Sequence, residues 1–247
     1  MPPAPAARGL RLDLLHDDGE LMVVSKPSGL LSVPGLGPEG EDSVLGRIRR
    51  CYPQARAVHR LDQDTSGLMA VGLTLPAASA LGRQFMCHAV AKAYVALVGG
   101  LMARDEGVIT LPLRPDLCHR PRQMVDFLAG REAVTCYQVI RRLPAAGVTL
   151  VRLFPRTGRT HQLRLHLQQI GHPIVGERLY TQAEHHRPAA RLYLHATLLS
   201  LLHPVTRRRM SFYVPPPFAP ARPAGRAGRP AGRCGRCDAD GRCRTLS

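Results

Sequence analysis

The sequence predicts an α+β fold whose core is a mixed, mainly antiparallel β-sheet with flanking helices. Short β-rich runs follow one another through most of the 247 residues and are separated by brief turn sequences. That pattern is typical of antiparallel pairing and not of a doubly wound sheet. Only three segments show helical spacing of apolar residues. An apolar content of 45% is ample for a core of this size.

The strands are predicted from runs of apolar and β-branched residues that end at Gly, Pro or polar turn residues. The first two form a hairpin, because residues 16–19 have turn composition. Pro27 ends the second strand, so Lys26 is expected to be exposed at the strand end. The predicted strands cover residues 10–15, 21–25, 68–73, 92–98, 107–111, 122–127, 131–143, 147–154, 192–202 and 210–214.

Three helices are predicted from apolar spacing and from capping residues. The first covers residues 44–51, and Asp42 or Ser43 can cap it. The second covers roughly residues 76–88, with Pro76 in its first turn. In the third, within residues 158–170, Thr160 is a plausible cap. The apolar stripe of this last helix is formed by Leu163, Leu167 and Ile170.

The composition divides the chain into three regions. Residues 1–9, rich in Pro and Ala, are predicted to be a flexible arm. Residues 10–215 are predicted to form one folded domain. Residues 216–247 are rich in Arg, Pro and Gly and are predicted to be a disordered basic tail. Its three cysteines, Cys234, Cys237 and Cys243, resemble half of a zinc site but lack a fourth ligand, so no metal site is predicted.

The charge of the chain indicates an anionic partner. The formal net charge is +16, from 34 basic and 18 acidic residues, which favours binding to nucleic acid. Lys26 and Lys92 are the only lysines, so arginine supplies nearly all of the positive charge. Arginine suits bidentate phosphate contact and stacking on bases. A general bias toward arginine codons is the alternative explanation.

Other compositional features concern where the protein acts. No stretch approaches the roughly 18 apolar residues of a membrane span, and the N-terminus lacks the pattern of an export signal. Seven cysteines, most of them scattered singly, indicate reduced thiols. We therefore expect a cytoplasmic protein without a membrane partner.

The most informative stretch is residues 59–67, which concentrates polar groups ahead of a buried strand. If residues 59–62 continue a strand, Arg60 and Asp62 lie on the same face. Thr65 begins a Thr-Ser-Gly turn that can satisfy backbone donors. Reactive groups held at a strand end are typical of a catalytic site. An ordinary surface turn with one Asp–Arg pair is the structural alternative.

The stretch also resembles the signature of a known family, the RluA family of RNA pseudouridine synthases. Four more family blocks occur in the right order along the chain, and together the five cover most of residues 10–215. The five blocks are His59-Arg60-Leu61-Asp62 with Thr65-Ser66-Gly67, Lys26-Pro27-Ser28-Gly29, Ala91-Lys92-Ala93-Tyr94, Gly158-Arg159-Thr160-His161-Gln162-Leu163-Arg164 and Gly171-His172-Pro173-Ile174. The resemblance implies a pseudouridine synthase fold, with residues 10–215 as the catalytic domain and the basic tail as a departure from compact members.

The resemblance also implies roles for single residues. Asp62 matches the catalytic carboxylate of the family, Tyr94 the tyrosine that stacks on the target base, and Arg164 the arginine that pairs with the aspartate. Arg60 is expected to fill the gap left by a flipped base. We assign the remaining candidates to substrate binding or support: His59, Thr65, Lys26 and His161. For His161 we expect a structural hydrogen bond.

The expected activity is the isomerisation of uridine to pseudouridine in RNA, which needs no metal, redox or nucleotide cofactor. The sequence start resembles the short members of the family, which modify a 23S rRNA hairpin and the anticodon stem-loop of tRNAs. We therefore expect these structured RNAs as partners and a monomeric enzyme. The alternatives are a synthase acting on one of these RNAs, a non-catalytic RNA-binding protein, or a glycosidase-like hydrolase using Asp62 and Asp64.

Overall fold

A computed structural model describes residues 10–35, 40–180 and 189–218 of the chain. The strands are β1 (Asp13–Asp17), β2 (Leu21–Lys26), β3 (Arg56–Ala57), β4 (Ser66–Gly72), β5 (Ala91–Gly99), β6 (Glu106–Thr110), β7 (Leu113–Pro115), β8 (Gln123–Val125), β9 (Val134–Leu143), β10 (Val148–Pro155), β11 (Leu194–Leu202) and β12 (Arg209–Tyr213). The α-helices are α1 (Val44–Arg49), α2 (Leu75–Met86) and α3 (Gln162–Gln169).

Ten of the strands form one sheet. Its main path runs β1-β2-β4-β11-β5-β10-β9-β6, with β12 paired to β11 and β3 paired to β4. Strands β7 and β8 make a separate two-stranded hairpin. Among the described strands every pairing is antiparallel except the short contact between β4 and β11. The prediction of a mixed, mainly antiparallel sheet is confirmed.

The parallel contact joins two halves of the sheet. The first half consists of β1, β2, β3 and β4, and the second of β5, β6, β9, β10, β11 and β12. The contact depends on a glycine. Ser66 pairs with His195 and Gly67 with Ala196. Gly67 has a φ of 109°, and a Cβ there would lie 2.2 Å from the carbonyl oxygen of Ala196. Only glycine fits this position. The joint is further tied by a 2.7 Å hydrogen bond between Ser66 Oγ and His195 Nδ1.

Each half of the sheet has its own apolar core. In the first half, α1 packs on one face of β2 and β4, while α2 covers their other face together with residues of β11. In the second half, α3 packs on β5 and β10. Side-chain caps fix the starts of two of these helices: Ser43 Oγ accepts from Gly46 N at the start of α1, and Thr74 Oγ1 accepts from Ala77 N at the start of α2.

Several local expectations need correction. Residues 59–62 do not continue a strand, because the chain leaves the sheet after β3 and turns before β4. Thr160 does not cap α3, since the helix begins at Gln162 and the N-cap is His161, in the left-handed region and without a side-chain cap bond. Ile170 lies beyond the helix and is partly exposed. The sequence reading also missed the short strand β7.

The described residues include most of the predicted catalytic domain and little of the two predicted ends of the chain. The N-terminal arm of residues 1–9, and the predicted tail from residue 219 onward with its three cysteines, lie outside them. Phe218 is described, and its ring packs 5.0 Å from that of Tyr193. No helix among the described residues is long and apolar enough to cross a membrane.

Candidate active site

A cavity of about 640 Å³ opens where the two halves of the sheet meet. The first half contributes the loop with Asp62 and the end of α2, and the second half contributes β5, the end of β10 and the start of α3. Five predicted site residues of the loop and strand blocks line it: His59, Arg60, Asp62, Thr65 and Tyr94. His161 lines it as well, and Arg164 reaches it from α3 through its contact with Asp62.

The loop that carries Asp62 is held from below by Lys26. This side chain is fully buried, so the prediction that it is exposed is wrong. Its ammonium group donates to the carbonyls of Pro27, Leu30 and Gln63 at 2.9, 2.6 and 2.7 Å. Burial lowers the pKa of Lys26 to about 8, against the opposing attraction of nearby carboxylates. Lys26 therefore supports the loop and has no surface through which to contact RNA.

Further bonds from residues 28–32 fix the same loop. Ser28 Oγ donates to the carbonyl of Asp64 at 2.6 Å. Gly29 N donates to the carbonyl of Gln63 at 2.9 Å. Ser32 Oγ donates to the carbonyl of Leu61 and accepts from its N–H. The backbone on both sides of Asp62 is thus bonded to an earlier part of the chain, which orients the carboxylate before any substrate arrives.

Two basic side chains face Asp62. Nη1 of Arg164 lies 3.9 Å from one carboxylate oxygen, and Nε2 of His161 lies 3.9 Å from the other. The Asp62 side chain is 18% exposed and opens to the cavity. These distances place Arg164 next to Asp62. They are longer than a hydrogen bond, so the carboxylate oxygens remain accessible to a substrate.

The strong partner of Arg164 is a residue that the sequence reading missed. Glu177 accepts two hydrogen bonds from Arg164, at 2.7 and 2.6 Å, and both side chains are buried. Although burial opposes both charges, the pairing raises the pKa of Arg164 and lowers that of Glu177. Glu177 is the only acidic residue between Glu132 and Glu184 in the sequence. Its isolation among basic and apolar residues was the signal that could have identified it as a partner of Arg164.

His161 is oriented by Tyr180, a second residue that sequence reasoning missed. The Tyr180 hydroxyl lies 2.6 Å from Nδ1 of His161 and accepts a bond from Gln123 N at 2.9 Å. With an N–H already on its oxygen, the hydroxyl can give its own proton to Nδ1. The proton of a neutral ring then sits on Nε2 and points toward Asp62. Burial lowers the pKa of His161 against the pull of Asp62, which favours that neutral ring.

Tyr94 and His59 form walls of the cavity. Burial, and then the negative charge of Asp62, raises the pKa of Tyr94, so its hydroxyl stays protonated. His59 stacks on Phe85 with ring centroids 4.3 Å apart, and its Nε2 accepts from Ala70 N at 3.0 Å. Burial lowers the pKa of His59 to about 3. His59 is thus a neutral structural wall that pins the loop to β4.

Arg60 and Thr65 complete the predicted set. Arg60 is exposed at the cavity and forms no ion pair with Asp62, contrary to the expected pairing on one strand face. The reason is that the segment turns. Thr65 is buried, and its hydroxyl has no hydrogen-bond partner among the described residues. Its backbone N–H donates to the carbonyl of Asp62 at 3.1 Å, which closes the turn.

One group of potential metal ligands occurs among the described residues, and it lies outside the cavity. Nε2 of His16 and Nε2 of His203 lie 2.8 and 2.7 Å from the same oxygen of Asp18. Nδ1 of His203 accepts from the backbone N–H groups of Val205 and Thr206. The ring proton of His203 is therefore on Nε2, where a metal would need a lone pair. This arrangement ties two turns of the sheet together.

Comparison with known proteins gives a consistent result. The family model described as RNA pseudouridylate synthase matches residues 20–169. A protein of Yersinia pestis named dual-specificity RNA pseudouridine synthase RluA is 48% identical over 199 residues, covering 81% of this chain and 96% of its own length. The protein of that name from Escherichia coli K12 is 47% identical over 207 residues, covering 84% and 94%.

Solved structures agree with the sequence relatives. Human RNA pseudouridylate synthase domain containing 1 superposes with a TM-score of 0.71 at 29% identity, over 89% of this chain and 88% of its own. Human RNA pseudouridylate synthase domain containing 4 has a TM-score of 0.65 at 24% identity, over 83% and 89%, and supports the fold.

The family match over residues 20–169 and the similarity to the two curated relatives identify the protein as an RNA pseudouridine synthase, which is an isomerase. Within that class, the chain belongs to the RluA family. The sequence-based assignment of family and enzyme class is therefore confirmed, and the glycosidase alternative is excluded.

Proposed function

We propose that the protein converts specific uridines to pseudouridine in 23S rRNA and in the anticodon stem-loop of tRNAs, with Asp62 as the catalytic carboxylate. The observation that carries the proposal is the position of Asp62, which faces Arg164 and His161 at 3.9 Å and opens to a cavity at the joint of the sheet. The other carboxylate of the loop, Asp64, does not line that cavity.

The reaction breaks the bond between N1 of uracil and C1′ of the ribose, turns the base, and joins C5 to C1′. The proton on C5 is lost and N1 gains one, so no electrons are exchanged with a cofactor. A carboxylate can start this sequence by attacking C1′ or by removing a proton from the sugar. Both routes require an ionised Asp62 next to the ribose, with the base held close while it turns.

The surrounding residues suit a flipped nucleotide. Tyr94 offers an aromatic face for the uracil. Arg60, exposed at the cavity mouth, is placed to occupy the space that the base leaves in the RNA. Thr65 also lines the cavity, and its buried hydroxyl has no hydrogen-bond partner in the described part of the chain. Arg164 and His161 direct positive charge and an N–H toward Asp62 and balance its charge in a poorly solvated site.

The choice of substrates follows the relatives. The Yersinia pestis and Escherichia coli proteins carry a dual-specificity name, and the match spans 94% or more of their lengths. We extend that specificity to this chain. A net charge of +16 supports binding of structured RNA. We further propose a cytoplasmic monomer with its catalytic domain in residues 10–215, an arm in residues 1–9 and a tail in residues 216–247.

The test is to incubate the purified protein with unmodified tRNA and with 23S rRNA fragments, and to measure pseudouridine in digests of each. Product in both RNAs supports dual specificity. Product in one of them supports the single-substrate alternative. The contrary result is that the protein binds both RNAs and forms no pseudouridine in either of them or in total cellular RNA. That result would replace the proposal with a non-catalytic RNA-binding role.

A further inference from the structure

The second lysine of the chain, Lys92, lines the cavity, and the chemistry at Asp62 does not use it. Lys92 lies on β5 two residues before Tyr94, so the two side chains share the face of the strand that lines the cavity. Its Nζ lies 6.0 Å from the centre of the Phe85 ring. The same Nζ is close to Gly158, since a Cβ added to that glycine would lie 3.8 Å from it. Lys92 thus stands between the end of α2 and the turn before α3.

The ammonium group of Lys92 makes no hydrogen bond or ion pair with any residue in the described part of the chain. This contrasts with Lys26, whose ammonium donates to three carbonyls. Burial lowers the pKa of Lys92, and no neighbouring acid offsets that cost. A half-buried cation that no acid or carbonyl of the described residues pairs with is costly to maintain, which points to a ligand that supplies the missing anion.

The charges around the cavity indicate where that anion belongs. The lysine, arginine and acidic side chains that line it are Arg60, Lys92, Arg159 and Asp62, so three basic groups accompany one carboxylate. Asp62 already faces Arg164 and His161. The remaining cavity, bounded by Lys92, Phe85 and Arg159, has a positive wall and an aromatic ring. An RNA strand offers phosphates and bases that match this pair of features.

We propose that Lys92 binds a backbone phosphate adjacent to the target nucleotide and so holds the substrate strand open while the base is in the cavity. The proposal rests on the RNA-modifying function above and adds a subsite to it. A single phosphate in contact with Lys92 would satisfy the ammonium, and Phe85 lies close enough for the neighbouring base or sugar to pack on it.

The first test measures how RNA affinity depends on salt for the wild type and for Lys92→Met, with oligouridine as the probe. Loss of one phosphate contact lowers the slope of log affinity against log salt by about 0.7. Lys92→Arg should restore the slope. Arg141→Met is the control, because it removes one charge at an exposed position outside the cavity. An unchanged slope for Lys92→Met overturns the proposal, whether or not the protein is active on this probe.

The second test locates the phosphate. An anticodon stem-loop receives a neutral methylphosphonate on either side of the target uridine in turn, and binding is measured for wild type and Lys92→Met. At one position the wild type should lose about tenfold in affinity, while Lys92→Met loses nothing further. Equal losses in both proteins at every position would contradict the contact. Conversion of the unmodified stem-loop by the wild type reports separately on the proposed function.

Discussion

Arg164 makes its short bonds to Glu177, at 2.7 and 2.6 Å, and only approaches Asp62, at 3.9 Å. Glu177 therefore fixes the direction of the guanidinium, and the guanidinium presents one edge to the carboxylate. A carboxylate bonded tightly by arginine would be a poor nucleophile or base. An arginine held by a different acid can balance the charge of Asp62 and leave its oxygens open to the ribose.

Glu177→Gln should impair catalysis more than RNA binding, because the amide cannot hold both nitrogens of Arg164. A shift of about 1 Å in such a group can lower the turnover rate about 100-fold. Breaking a buried ion pair also costs about 3 to 5 kcal/mol of stability, so rates must be compared well below the melting temperature. Single-turnover pseudouridine formation and RNA affinity are the measurements. A parallel loss in both would mean that Glu177 only maintains the fold.

Lys26→Met should destabilise the protein, because three carbonyls around the Asp62 loop lose their common donor. We expect a loss of about 3 kcal/mol in the free energy of unfolding. Lys92→Met is the matched control, since it removes the only other lysine and breaks no hydrogen bond in the described residues. Equal stability of the two variants in urea titrations would refute the supporting role of Lys26.

Tyr180→Phe should reduce activity through His161. The phenylalanine cannot donate to Nδ1 of His161 or accept from Gln123 N, so the ring loses the bond that directs Nε2 toward Asp62. We expect a drop of about tenfold in the single-turnover rate, with RNA affinity within about twofold of the wild type. His161→Gln combined with Tyr180→Phe should be no worse than His161→Gln alone. Additive losses would show that Tyr180 acts independently of His161.

The Asp18 cluster predicts a dependence of stability on pH. Burial raises the pKa of Asp18, but the N–H groups of Leu21 and Glu20 and the rings of His16 and His203 outweigh it and lower the value to about 2. The folded state thus favours the ionised form. The stabilisation is complete above the ordinary value near 4 and is lost as pH falls toward 2.

Urea unfolding of the wild type and Asp18→Asn at pH 5 and pH 3 checks this dependence. The difference in stability between the two proteins should shrink at pH 3, because Asp18 in the unfolded wild-type chain is then largely protonated, which stabilises the unfolded state. A difference that stays constant, or grows, would contradict the assigned shift. Titration of other carboxyl groups affects both proteins alike and cancels in the comparison.

The sequence was sufficient to predict the sheet class and the family, because both are written in local patterns. Strand runs such as 68–73 and 92–98 reappear as β4 and β5 within two residues at each end. The blocks around Asp62 and Tyr94 each contain their chemistry in a few adjacent positions. The approach of Arg164 to Asp62 followed from the family and is seen at 3.9 Å.

What the sequence did not give depends on contacts between distant segments. Lys26 looks exposed at the end of a strand, and only the return of residues 61–64 over it makes it buried. Glu177 lies 13 residues from Arg164, beyond the helix, so no periodicity connects them. His59 was predicted to bind substrate, and its ring also packs on Phe85 and bonds to the neighbouring strand, which no local pattern indicates.

The central claim is that Asp62 is the catalytic carboxylate, and one pair of variants tests it most directly. Asp62→Asn and Asp64→Asn each remove one charge from the same loop, but only Asp62 lines the cavity. Pseudouridine should form with the wild type and with Asp64→Asn and be undetectable with Asp62→Asn, while all three proteins bind the RNA. Substantial product from Asp62→Asn, or its loss only in Asp64→Asn, would contradict the account.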